Sequence, residues 1–215
     1  MKTISDFQKT LLDHLASTNY VLLNPTSDRS TTFDILFDSE ELKPMIDGLN
    51  QIADLASITV ASSFKSSKAV LKFKDNTERI INFVHKFTYK SLIYLDEKEV
   101  MAKRVKELDC FYIPRVEHLF EHWILKSFLE LKGIGRPAFQ YFNEFHILVQ
   151  EDLLDYFNMK YGTSFSNIYQ LTDFDETQRA QMIKNLNNAP TNNFLKKVNI
   201  RWHNFLGVMR QARII

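Results

Sequence analysis

The sequence predicts an α+β protein in two parts: a sheet domain with helices on one face over residues 1–112, and a helical C-terminal domain over residues 113–215. Three observations carry this. Short apolar runs separated by polar turn clusters recur between Tyr20 and Leu95. After Pro114 the apolar residues fall at helical spacing instead. The change of character comes at residues 111–115, and no internal repeat or low-complexity stretch interrupts either part.

Residues 4–17 form an amphipathic pattern, with Ile4, Phe7, Leu11, Leu12 and Leu15 on one face, and Asn19 ends it. Residues 20–23 read as a strand, 24–28 as a turn cluster, and 31–37 as a second strand. In that strand Asp34 stands on the face opposite Phe33 and Ile35. Asp38 or Ser39 then caps a helix expected to run to about Leu55, with Pro44 early enough to be tolerated. Three strands follow at 57–64, 69–74 and 79–86. Lys65-Ser66-Ser67-Lys68 and Asp75-Asn76-Thr77 are read as their hairpin turns. A short strand at 91–95 and a helix at 97–108 complete the first part. Helical period continues at 116–131, 139–148, 151–161, 177–186 and 192–213.

Bulk composition narrows the function classes. The chain has 215 residues, 45% hydrophobic and 25% charged, enough for a sizeable core and far from a disordered composition. A net charge of +1 gives no general case for nucleic acid or a membrane surface. No apolar run is long enough to span a membrane, and the charged first fifteen residues do not make a signal peptide. Cys110 is the only cysteine, which excludes an internal disulfide framework and a cysteine zinc cluster. It predicts a reducing compartment, most simply the cytoplasm, and a buried thiol without a marked His partner.

Asp34 is the residue that most needs explaining, because a carboxylate in a half-buried strand is costly unless something pairs with it. The sequence Thr32-Phe33-Asp34-Ile35-Leu36-Phe37, its leading helix and strand, and the later strand Arg79-Ile80-Ile81-Asn82-Phe83-Val84-His85 resemble the nucleotidyltransferase-fold superfamily. The likeness is greatest to its small members associated with surface-polysaccharide genes. It covers residues 4 to 131 and includes Tyr112-Ile113-Pro114 leading into a long helix. It implies a nucleotidyltransferase-like mixed sheet in which an acid-x-acid pair and a third acid hold Mg²⁺ on a nucleoside triphosphate. Transferred onto this chain, Asp34 is the implied metal ligand. Thr32 stands at the first acid position and Asn82 at the third. Thr32, Ser27 and Arg29 would line the bound nucleotide, and His85, at the end of the later strand, is the nearest candidate proton carrier. Two of three carboxylates are replaced, and the Gly-Ser signature gives way to Asn24-Pro25-Thr26-Ser27. The expectation is therefore a degenerate metal site that binds a nucleotide or sugar nucleotide, with Mg²⁺ as the only implied cofactor and catalysis left open.

Two alternatives come from the second part. His118-Leu119-Phe120-Glu121-His122 matches the inverted zinc-hydrolase pattern, with Glu144 or Glu151 as a third ligand. The competing view is a helix whose Leu119, Phe120, Trp123, Leu125 and Phe128 pack inward while the His and Glu residues form a polar stripe. A protein partner docked on the helical half is the other alternative. The dense aromatics of residues 111–161 are expected in the helical core. Gly133 and Gly135 are expected to end a helix. The segment 192–213 reads as a basic amphipathic helix packed against the rest, since no acid follows Glu176.

Overall fold

The computed structural model describes residues 6–24, 32–107, 111–130, 136–172, 175–189, 192 and 200. The chain divides into two compact units. One comprises Met1–Lys86 and Glu97–Arg115, the other Phe87–Asp96 and Val116–Ile215.

The first unit begins with helix α1 (Asp6–Leu15), in which Phe7, Leu11 and Leu15 repeat every four residues and bring one face to the core. Strands β1 (Tyr20–Leu22) and β2 (Thr32–Phe37) follow. Asp38 accepts a hydrogen bond from the Glu40 amide at 3.0 Å and opens a single 3₁₀ turn, which leads into α2 (Leu42–Leu49). Pro44 falls in the first turn of α2, where no helical partner awaits its missing N–H. The helix stops at Leu49 rather than Leu55. Asp54 adopts a left-handed conformation (φ 64°), and Leu55 already pairs with Phe73.

Strands β3 (Leu55–Ser62), β4 (Ser66–Phe73) and β5 (Glu78–Val84) complete a five-stranded sheet of order β1-β2-β5-β4-β3. Only β2 and β5 run parallel, so the sheet is mixed. At the β4–β5 turn, Asp75 accepts from both the amide and the hydroxyl of Thr77 while Asn76 takes φ 65°. The β3–β4 turn is tighter than the sequence suggests. Ser63 and Ser66 close it through their backbones and the Ser63 hydroxyl, so Ser67 and Lys68 belong to β4. Helices α1 and α2 cover one sheet face. Phe33, Ile35, Phe37, Ala69, Leu71, Ile81 and Phe83 form the core there with Leu11, Leu15, Met45 and Leu49. The expected helix at 97–108 is shorter: α3 (Glu97–Ala102) gives way to β8 (Val105–Glu107), which pairs with β9 (Phe111–Ile113). A backbone partner thus overrides the helical pattern.

The second unit takes in the hairpin of β6 (Phe87–Tyr89) and β7 (Leu92–Leu95). It also contains α4 (Val116–Glu130), α5 (Arg136–Asn143), α6 (Ile147–Tyr161) and α7 (Glu176–Asn188). Phe120 meets Phe142 and Phe157 edge-on at centroid distances of 4.8 and 5.9 Å, so these rings are core. Gly162 ends α6 at φ 63°, a left-handed position that a side chain would strain. Asp175 and Gln178 form a capping box on α7. Arg179 donates to the Phe128 and Leu129 carbonyls and so caps the end of α4. Most of the segment 192–213, together with Gly133, Gly135 and Cys110, lies outside the described residues.

Candidate functional site

The parallel pairing of β2 with β5 brings Asp34 directly beside Asn82, although 47 residues separate them in the chain. Both are half-buried and lie on the sheet face opposite the one covered by α1 and α2. The Asn82 amide donates to Asp34 Oδ1 at 2.6 Å. A charge-assisted hydrogen bond of this kind contributes about 2 kcal/mol. The Asp34 strand is pinned locally as well. The Asn24 side chain accepts from the Asp34 amide and donates to the Thr32 carbonyl, each at 3.0 Å. The Leu23 amide donates to the Asp34 carbonyl at 2.7 Å. Asn24 thus acts as a side-chain bridge that continues the β1–β2 ladder where β1 ends.

The next strand extends the row. Asn82 is paired on its other side with Lys68 of β4, whose side chain is exposed. Asp34, Asn82 and Lys68 therefore occupy consecutive strands at one level of the same face. Thr32 lies two residues before Asp34 on that face. The sequence reading missed Lys68 because Lys65-Ser66-Ser67-Lys68 has the composition of a turn. The signal that could have found it is the alternation that starts at Ser67: Ser67, Ala69 and Leu71 are buried while Lys68 and Lys72 are exposed.

His85 does not join this row. It follows β5 on the face of Ile81 and Phe83, and both ring nitrogens are occupied. Nδ1 lies 3.0 Å from the Phe37 carbonyl, which can only accept, so Nδ1 carries a hydrogen. Nε2 lies 3.0 Å from the buried Ser67 hydroxyl. This histidine ties β2, β4 and β5 together and is not placed to move a proton at Asp34. Ser27 and Arg29 lie outside the described residues.

The donor set does not suit a resident Mg²⁺. That ion favours several hard oxygen ligands in strict octahedral geometry. Here one carboxylate stands in the row, and one of its oxygens already accepts the Asn82 N–H. The amide satisfies the Asp34 carboxylate with a hydrogen bond and adds no second negative charge beside it. Asn82→Asp should remove that donor and set two carboxylates side by side. The variant is expected to melt lower than the wild type and to regain stability with Mn²⁺ or Mg²⁺, read by thermal unfolding with and without the ion. No cation-dependent recovery would mean that the geometry cannot hold a metal even with both acids.

The chain matches no family model, no curated protein and no solved structure.

The zinc pattern has a different explanation in the second unit. His118, Glu121 and His122 are all buried rather than forming a polar stripe. Glu121 Oε1 accepts from Tyr161 at 2.9 Å and pairs with Lys160 at 2.5 Å. His122 packs against the rings of Phe87 and Tyr94, with Nδ1 3.3 Å from the Tyr94 hydroxyl. Among the described residues, no three His, Cys, Asp or Glu side chains gather where they could hold a metal.

Proposed function

We propose that the first unit is a degenerate nucleotidyltransferase-like domain that binds a nucleotide or sugar nucleotide without supplying a metal site of its own. Support comes from one observation: Asp34, Asn82 and Lys68 stand in a single cross-strand row of a mixed sheet, on the face opposite α1 and α2. Such a row combines a carboxylate that can accept from ribose or base donors, an amide, and a cation for phosphate oxygens. Asn82 and Thr32 in place of acids reduce the negative charge that would repel phosphate, so these two positions favour binding over two-metal catalysis.

ATP, GTP, CTP, UTP and their sugar diphosphates are the probes, each tested with and without Mg²⁺ by thermal shift. At least one is expected to raise the melting temperature. Lys68→Ala, at an exposed position, should weaken that shift while leaving the unliganded melting temperature unchanged. Asp34→Ala should remove the shift. If no nucleotide stabilises the wild type at saturating concentration, the binding proposal fails.

Docking of a protein partner on the second unit is the other reading. Ile147, Leu148 and Val149 favour it: they open α6 and are 57%, 60% and 39% exposed. Against it, the rings of Phe120, Phe128, Phe142 and Phe157 are fully buried and offer no aromatic groove.

A further inference from the structure

We propose that β3 is a self-pairing edge: two copies of this chain join antiparallel along β3 and extend the sheet across a two-fold axis. β3 stands at the end of the strand order, and among the described residues its only strand partner is β4. Its eight residues, Leu-Ala-Ser-Ile-Thr-Val-Ala-Ser, contain no charge and no proline. Edge strands are ordinarily protected from pairing by lysine, proline, a strong bulge or short length. Here the only irregularity lies at the start, between Leu55 and Ser57.

The apolar layer also runs out to this edge, where Ile58 is only partly buried. Ile58 pairs with Leu71 and Val60 with Ala69, and both partners are fully buried on the helix-covered face. Val60 itself is 39% exposed. A further strand beside β3 would continue this layer, and β3 fits that role for a second copy. Antiparallel pairing centred on Thr59 sets Ile58 opposite Val60 of the second copy, Val60 opposite its Ile58, and Ser57 opposite its Ala61. Apolar residues then face apolar residues on one side, and small or hydroxyl residues meet on the other.

Charge does not oppose the pairing. The cations on the neighbouring strand are Lys68, paired with Ala61, and Lys72, paired with Ser57. Two β3 strands would separate them from their symmetry mates by about 14 Å, beyond the screening length of about 8 Å at physiological salt. An edge of eight residues buries less than a standard interface, so the dimer should depend on concentration.

Sedimentation velocity from low micromolar to submillimolar protein tests this. The expected mass rises from 25.3 kDa toward twice that value. Thr59→Lys and Val60→Lys, both at exposed positions, should each restore the monomer and melt as the dilute, monomeric wild type does. In the wild type, the β3 amides should exchange hydrogen more slowly as concentration rises, a readout that needs no variant. A monomer at every concentration would overturn the proposal and leave the edge to a strand of another protein. A dimer indifferent to both lysines would overturn it too, placing the interface elsewhere. Neither outcome bears on nucleotide binding, because Asp34 is not needed for the pairing.

Discussion

Lowering the pH from neutral to about 4 is expected to destabilise the second unit by about 3 kcal/mol through His122 alone. The imidazole is buried in the core, with the rings of Phe87 and Tyr94 against it. Burial, and then the charge of Lys126, push its pKa down to about 3. In the unfolded chain the same ring titrates at about 6.5. Between those two values the unfolded state takes up a proton that the folded state refuses. The His122 contribution is therefore complete above the unfolded pKa and is lost progressively as pH falls toward the folded one. Tyr94 does not relieve the penalty: burial, and then the Glu130 charge, hold its hydroxyl above the usual phenol range, so it stays protonated and uncharged.

Urea unfolding of the wild type and His122→Gln at neutral and acid pH reads this effect. Glutamine keeps a polar partner for the Tyr94 hydroxyl and does not titrate. Carboxylates contribute to acid sensitivity in both proteins, so the difference between the two pH dependences isolates the histidine. Identical pH dependences would show that His122 takes its proton readily in the folded state and that its burial costs little.

Lys160→Met is expected to cost about 3 kcal/mol, because it leaves the Glu121 carboxylate buried without its cation. Glu121 has no solvent exposure, whereas the Lys160 side chain is 37% exposed, which places the loss at the lower end of the range for broken buried pairs. Both Tyr161 and Lys160 meet Oε1. Oε2 is buried without a hydrogen-bond partner among the described residues. Burial pulls the Lys160 ammonium down, but the hydrogen bonds to Glu121 and Tyr156 and their charges outweigh it and raise its pKa. The stabilisation from this raised pKa is therefore fully present below the unfolded lysine value of about 10.4 and is lost only as pH climbs through the higher folded value. Glu121→Gln should cost less than Lys160→Met, since an amide oxygen still accepts from Tyr161 and no charge is stranded. In the double variant the two losses should not add, because the stranded carboxylate is gone. Additive losses in a double-mutant cycle would mean that the two residues act independently.

Much of the first unit was legible because strand alternation is a local property. Phe33, Ile35 and Phe37 against Asp34 already fixed which face of β2 was polar, and turn chemistry marked Asp75-Asn76-Thr77. The helix boundaries at Leu49 and Ala102 were not legible. Each ends where a strand finds a backbone partner, and the identity of that partner is not written nearby. The burial of Glu121 was missed for a related reason. The sequence shows that Glu121 and His122 occupy α4, but the groups that satisfy them come from α6 and the β6–β7 hairpin.

By itself, then, the sequence determined local periodicity and chemistry: an α+β chain, a lone acid in an apolar strand, and threonine and asparagine where the resemblance expects acids. Tertiary structure alone decided which side chains meet. The parallel register of β2 and β5 joins Asp34 to Asn82, the β4 register adds Lys68, and alternation carries His85 to the other face. The physical reason is that strand pairing is set by hydrogen bonds between segments distant in the chain, and shifting the register by one residue moves every side chain to the opposite face.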